Sequence, residues 1–384
     1  MPTTPSLHLM IATGQNLANL IPAVQCNAAR AWILQTPAMR ASAGHLAAAL
    51  KARGVQVQRI DFDDGDVGTL HAQAEAIALQ LDGRPVTINF TGGTKPMTLA
   101  LTQTLAPHLA TGGDATQPHL VYCDTAHQRL DWLAPAARSE PMADVLRIDD
   151  VLLAQGYRRQ GGSGGAEAAE RQRAAQEREA MTRWIGEHIA PLARFFGAMN
   201  ALAGAALGNG GRFAPEQQLN YPPGGAAVEW LRECHAHGLA HWDGDVQVVF
   251  GSAEAARYLG GGWVEDYAAL KIAGARAHDH AVSLRVQHVD SDSTNEIDAC
   301  VVHRNRVLVV ECKAAHPGGS DADWIYKLSQ LARAIGGALA TPLLLSARAL
   351  PEAHKQRARE YGVDVLDGAD LATLPARLRS WMAG

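Results

Sequence analysis

The sequence lacks most of what would place a chain in a membrane, outside a cell or on nucleic acid by bulk charge. No apolar run in its 384 residues approaches the ~18 that a transmembrane helix needs. The opening segment, MPTTPSLHLMIATG, has no basic n-region and no cleavage site, so it is not expected to be a secretory signal. Cysteine is scarce. Cys26, Cys123, Cys234, Cys300 and Cys312 form an odd set of five with no C-x-x-C pair. That argues against a disulfide scaffold or a zinc ribbon and for the reducing cytoplasm. A formal charge of −5 excludes a protein that holds nucleic acid by overall basicity, though not one with a local basic groove. What is there suits a folded core: 47% hydrophobic and 19% charged residues. At roughly 100–200 residues per domain, the length suits two or three domains.

The first ~135 residues alternate short apolar runs with helical stretches, as βαβ units and a parallel sheet do. LHLMIAT (7–13), AWILQT (31–36), VQVQRIDF (55–62), VTINF (86–90) and HLVYCDT (119–125) read as strands. Residues 40–53, 67–82 and 96–110 read as helices. HLVYCDTAHQRLDWL predicts a hairpin closing the sheet edge. A looser stretch, 136–250, contains the flexible GGSGG (161–165), a long helical segment, and a small helix–hairpin module near 225–252. From 251 on, an amphipathic helix (261–277) precedes three strand-like runs, then helix, strand, helix and strand. The fold class is therefore α/β, with an N-terminal Rossmann-like domain (1–135), a mainly helical linking region (136–250) and a C-terminal α/β domain (251–384).

The most informative segment is NEIDACVVHRNRVLVVECKA (295–314). Two β-type runs flank Arg304-Asn305, which predicts a tight hairpin. If His303 pairs with Arg306, Asp298 faces Glu311 and Glu296 faces Lys313. Alternation then puts these four side chains, and Cys300, on one face and Cys312 on the other. Opposed carboxylates destabilise a ladder. Either one stays protonated or a divalent cation lies between them, and hard oxygen donors favour Mg²⁺ or Mn²⁺. Asp298 and Glu311 are thus candidate metal ligands, and Lys313 a candidate helper for the attacking water. Glu265, on the preceding helix, is a further candidate ligand. Lys327 and Gln330, one turn apart on the following helix, are candidate contacts to a substrate strand. The alternative is an exposed amphipathic strand carrying a Glu–Lys pair; an opposed Asp in an otherwise apolar hairpin weighs against it.

VTINF-TGGTK-PMTLALTQTLAPHLA is strand, glycine turn, helix. Gly92 and Gly93 permit close backbone approach. Thr94 suits a helix cap, Pro96 its first turn, and Lys95 adds charge at an anion-favouring helix start. The spacing is neither that of a P-loop nor G-x-G-x-x-G. An ordinary tight βα turn explains it equally well. The polar loops Thr13-Gly14-Gln15 and Thr36 should project to the same sheet end, which favours a phosphate-bearing ligand.

Together, NFTGGTKPM and the series GGWVEDY, NEIDACVV, VECKA, YKLSQL resemble the CRISPR-associated Rossmann-fold (CARF) domain joined to a PD-(D/E)XK nuclease in type III CRISPR ancillary nucleases. The resemblance spans most of the chain and is weakest over 136–250. It implies a homodimer that binds cyclic oligoadenylate, usually cyclic tetra-adenylate, and then cuts DNA, RNA or both with Mn²⁺ or Mg²⁺ in antiviral defence. It implies ligand-binding roles for Gly14, Gln15, Thr91, Gly92, Gly93, Thr94, Lys95 and Met97. It also places Asp298, Glu311 and Lys313 on the D…ExK signature and Glu265 on the acidic helix position.

Two other readings stand beside it. Arg232 and His237 satisfy R-x-x-x-x-H, the signature of metal-free HEPN ribonucleases, on one short helix. Alternatively, a winged-helix-like module around 225–252 would make the chain a ligand-gated nucleic-acid-binding regulator with an inactive nuclease fold.

Overall fold

The computed structural model describes residues 6–82, 84–110, 118–160, 166–208, 212–292, 294–313 and 322–384. GGSGG (161–165) and Ala314 lie outside them. In the first sheet, β1 (Leu7–Ile11), β2 (Arg30–Gln35), β3 (Gln56–Asp61), β4 (Val86–Asn89) and β5 (His119–Asp124) are parallel. They stand in the order β3-β2-β1-β4-β5, and the hairpin strands β6 (Arg129–Ala134) and β7 (Arg138–Pro141) run antiparallel beyond β5. β1 and β4 are buried along their whole length, as central parallel strands with helices on both faces must be. Helices α1 (Leu17–Gln25) and α2 (Arg40–Ala52) cover one face; α3 (Val67–Leu81) and α4 (Lys95–Ala110) cover the other. Strand order reverses between β1 and β4, so the crevice at this topological switch lies between the loop after β1 and the TGGTK turn.

The stretch 136–250 does not form one linking unit. β7 completes the first sheet, α5 (Ile148–Ala154) sits between the two large sheets, and β8 (Tyr157–Arg159) is an edge strand of the last sheet. Helices α6 (Ala166–Glu177), α7 (Glu179–Glu187), α8 (Ile189–Leu192) and α9 (Phe196–Leu207) follow. Then come β9 (Glu216–Gln218), α10 (Ala226–Ala236), β10 (Ala240–Trp242) and β11 (Gln247–Phe250), with sheet order β10-β11-β9. Helices, strand, helix and hairpin in this order resemble a winged helix, though a single helix, α10, stands between β9 and the hairpin where a helix-turn-helix has two. The hairpin's turn is Asp243-Gly244-Asp245.

The last sheet is built by α11 (Ala253–Arg257), α12 (Trp263–Ala275), β12 (Asp279–His288), β13 (Thr294–His303), β14 (Arg306–Lys313), α13 (Ala322–Gly336), β15 (Ala340–Ser346), α14 (Glu352–Glu360), β16 (Asp364–Asp367) and α15 (Leu374–Ala383). Its order is β16-β15-β14-β13-β12-β8, antiparallel through β12, β13 and β14 and parallel from β14 to β16. One face, with Val302, Val307 and Val309, shares a single apolar core with α13, α5 and the α1–α2 face of the first sheet. The opposite face, with Val301, Leu308 and Val310, is covered by α12, α15 and the winged-helix-like segment.

Candidate active site and activator pocket

The β13–β14 hairpin turns at Arg304 and Asn305, both with positive φ (51° and 58°), as a tight two-residue turn requires. Asn305 is buried. Its Oδ1 accepts the amides of Val145 (3.0 Å) and Leu146 (3.1 Å), and its Nδ2 donates to the Ala143 carbonyl at 2.7 Å. The expected register holds from His303–Arg306 to Ala299–Val310 and stops there, one step short of the carboxylates. Asp298 does not pair with Glu311 through the backbone. Its side-chain Oδ2 accepts the Cys312 amide at 2.6 Å instead, so a carboxylate replaces a ladder hydrogen bond. On the other side, the β12–β13 ladder skips the same step, where Ser283 takes a φ of +48°.

This break corrects three details of the alternation argument. Ile297 shares a core with Cys300 and Val302 rather than with Ala299 and Val301, so the alternation slips at Asp298. Cys300 is therefore core, not site. Glu296 does not face Lys313: it pairs with Arg285 in register, and its carboxylate lies 3.2 Å from the Arg171 guanidinium. Lys313 meets Glu311 of its own strand in a close ion pair.

What the structure does gather is Asp298, Glu311, Lys313 and Glu265. Burial first, then the neighbouring Glu311, then Glu265, pushes the Asp298 carboxyl up to about 7, against the pull of the Cys312 amide and Lys313. Glu265 is an exposed residue of α12. Desolvation, then Asp266, Glu296 and Glu311, hold its carboxyl above the usual range. Desolvation opposes the Lys313 charge, but the bond to Glu311 and the field of Glu311 and Asp298 keep its ammonium above its ordinary value. Of the three carboxylates, Glu311 alone is in ion-pair contact with the Lys313 ammonium; Asp298 and Glu265 act through their fields, and the three do not all draw within 4.8 Å of one another, so the cluster is open and short of positive charge. All the anionic donors are hard oxygens, so this set fits Mg²⁺ or Mn²⁺. Buried Cys312 offers only its amide. Lys327 and Gln330 stand exposed on α13, the element that follows the cluster.

At the first sheet's crevice, the candidate residues divide. Gly14, Gln15, Gly93, Thr94 and Lys95 are exposed. Thr36 is buried and accepts the Met39 amide (3.3 Å), capping a short helical turn. Thr91 is part-buried; its Oγ1 donates to Asn89 Oδ1 and accepts the Cys123 amide, both at 2.7 Å. A Cβ at Gly92 would lie 2.5 Å from the Ile11 carbonyl oxygen, so this glycine seats the turn against the end of β1. Gly93 has φ +85°. Thr94 accepts the Met97 amide at 3.4 Å. Met97 lies in the α3–α4 core, so its side chain does not reach the exposed turn.

Sequence reasoning passed over the amides that hold this crevice. Asn19 Nδ2 donates to Ile11 O (2.8 Å), and Asn16 Nδ2 to Ser42 O (2.9 Å) and Ala154 O (3.0 Å). Gln15 Oε1 accepts the amide of Ala338 at 3.1 Å, in the turn (337–339) that carries α13 into β15. The crevice and the carboxylate domain thus touch directly. The rival pair, Arg232 and His237, is exposed on α10 and its C-cap, with His237 Nε2 3.9 Å from Glu233.

Comparison with known proteins adds the following. Residues 252–384 match a family model described as "Card1-like, endonuclease domain". No curated protein matches. Among solved structures, Can2 from Sulfobacillus thermosulfidooxidans in complex with cyclic tetra-adenylate superposes with a TM-score of 0.79 at 18% identity, over 99% of this chain and 98% of that one. Protein VC1899 from Vibrio cholerae gives 0.79 and 18% over 98% of each chain. A type III CRISPR defence DNA nuclease activated by cyclic oligoadenylate gives 0.54 and 17%, over 90% of this chain but only 46% of that one. The chain therefore has the fold of Can2 and VC1899 from end to end, and its last third matches the Card1-like endonuclease model.

Proposed function

We propose that this protein is a cyclic oligoadenylate-activated, metal-dependent endonuclease of type III CRISPR defence, working as a homodimer on DNA or RNA. The observation that carries the reading is the Asp298–Glu311–Lys313–Glu265 cluster, with excess negative charge at the end of an apolar hairpin, inside the segment that matches the endonuclease model. Asp298, Glu311 and Glu265 would hold Mn²⁺ or Mg²⁺. When bound, the ion supplies Lewis acidity and charge neutralisation at the scissile phosphate. The chain's own residues do the rest. The Cys312 amide aims the Asp298 carboxylate. Glu311 anchors Lys313, whose ammonium orients the attacking water and meets the charge that builds on the phosphate oxygens. Lys327 and Gln330, exposed on α13, would touch the nucleic-acid strand.

The exposed Gly14-Gln15 loop and Gly93-Thr94-Lys95 turn would take the activator's phosphates, with Lys95 beside a helix N-terminus; Can2, of the same fold, is described in complex with cyclic tetra-adenylate. A ring with two-fold symmetry suits an isologous dimer interface, and it activates only if it binds the active state more tightly than the resting one.

The regulator reading draws on the winged-helix-like arrangement of 216–250. Its wing carries Asp243 and Asp245, the wrong sign for gripping phosphates. One experiment tests the reading: Glu311→Ala should abolish activator-dependent cleavage while leaving ring affinity unchanged. Cleavage that survives both Glu311→Ala and EDTA would instead favour the metal-free pair Arg232 and His237.

A further inference from the structure

Away from the carboxylate cluster, a second group of ligand-type side chains sits where the two large sheets meet. His45 comes from α2, His288 from the end of β12, and Asp290 from the turn that follows. One ligand atom from each lies within 4.8 Å of the others. His45 Nε2 and His288 Nδ1 are each 4.0 Å from Asp290 Oδ2. The two imidazoles meet edge to face at 5.6 Å, and Tyr157 backs His288 the same way at 5.0 Å. The position of His45 is enforced. A Cβ at residue 156 would fall 2.4 Å from its ring, and Gly156 has φ +78°, so only glycine serves there. The Gly156 carbonyl accepts the Val289 amide at 2.8 Å, tying that glycine to the same turn.

We propose that His45, His288 and Asp290 form a binding site for a borderline divalent transition-metal ion such as Zn²⁺, bridging the N-terminal domain to the sheet that carries the carboxylate cluster. Two imidazoles and one carboxylate suit Zn²⁺, not the Mg²⁺ or Mn²⁺ of the all-oxygen cluster. At a tetrahedral angle two metal–ligand bonds of ~2.0–2.1 Å hold their ligand atoms ~3.3 Å apart, so each 4.0 Å separation to Asp290 has to close by about 0.7 Å, a movement the exposed turn at Asp290 permits. The Asp290 amide donates to His288 Nδ1 at 3.2 Å, which directs that ring's lone pair toward the turn; the ion would take the lone pair in place of this long hydrogen bond. Burial, and the His288 ring beside it, keep His45 below the ordinary histidine pKa, so its lone pair is available at neutral pH. The exposed Asp290 side chain leaves the remaining coordination positions open to water.

The proposal does not depend on nuclease activity, and its test is kept separate from it. The full chain carrying Asp298→Asn and Glu311→Gln removes two of the competing carboxylates. After equilibration with Zn²⁺ and removal of free metal, this chain should hold about one Zn²⁺ per chain by mass spectrometry, and its Co²⁺ form should show visible d–d bands without thiolate charge transfer. Adding His45→Gln should weaken Zn²⁺ affinity at least 100-fold and abolish the bands. Adding Asp290→Asn, a change on an exposed turn that keeps the fold even if His45→Gln does not, should weaken it at least tenfold. If the parent chain retains no Zn²⁺, or if Asp290→Asn binds it as tightly as the parent, the proposal is overturned.

Discussion

Replacing Asp298 by Asn removes one negative charge from beside Glu311 and Glu265 while keeping an oxygen to accept the Cys312 amide. In metal-free protein the Asp298 carboxyl stands at about 7 against an ordinary 3.8. Its native state therefore keeps a proton that the unfolded chain has already lost. As pH rises between those two values, the native state loses that advantage and stability falls. Three pH units at ~1.36 kcal/mol each give about 4 kcal/mol; partial solvent access lowers this to roughly 2–4 kcal/mol. The amide introduced by D298N has no proton to lose. In EDTA, the D298N chain should match the parent near pH 4 and exceed it at pH 8, with the gap widening by about 1–1.5 kcal/mol between pH 5.5 and 7. Thermal unfolding across that range would show this as a Tm difference of a few degrees. Adding Mn²⁺ should then raise the parent's Tm and not that of D298N; at a hundred times Kd the gain is about 2.7 kcal/mol. A gap that does not change with pH, or a D298N chain less stable than the parent at pH 8, would show that Asp298 does not sit in an uncompensated carboxylate cluster.

The crevice supports three more tests. Lys95→Ala should raise the activator concentration for half-maximal cleavage and leave the rate at saturating activator unchanged, read from a titration with cyclic tetra-adenylate. Gln15→Ala removes the acceptor for the Ala338 amide; it should lower the activated rate by up to about tenfold while ring binding, by calorimetry, stays within the ~0.5–1.5 kcal/mol of one hydrogen bond. Gly92→Ala would force a Cβ to within 2.5 Å of the Ile11 oxygen; it should cost more than about 2 kcal/mol in denaturant unfolding, whether or not activator is present.

Much of the fold is legible because short apolar runs and helical stretches alternate in sequence. The five parallel strands and the hairpin beyond them lie where alternation puts them. Helix α1 is not legible, because Pro22 in its interior reads as a breaker. The Ala18 carbonyl, which has no amide to accept four residues on, takes a hydrogen bond from Asn89 Nδ2 at 2.9 Å, a partner 71 residues away that local pattern does not reveal. The site is legible in composition but not in register. The residue types at 298, 311 and 313 mark a candidate site, but strict alternation assumes an unbroken ladder. The backbone at Ser283 and Asp298 breaks it, so Glu296 and Cys300 leave the site. The winged-helix-like arrangement is legible only in outline, since its strands are three or four residues long.

The apolar mass joining α1 and α2 to α13 and the inner face of the last sheet has a mechanical consequence. A hinge within one chain would have to part this continuous core at α5, which packs against α1 and α2 on one side and against α13, β12 and β13 on the other. Wetting apolar surface there costs about 25 cal/mol per Å², which opposes such a hinge. Each polypeptide should therefore move as a solid piece, leaving rotation of one copy against another, or slight shifts along the Gln15–Ala338 seam, to carry the message.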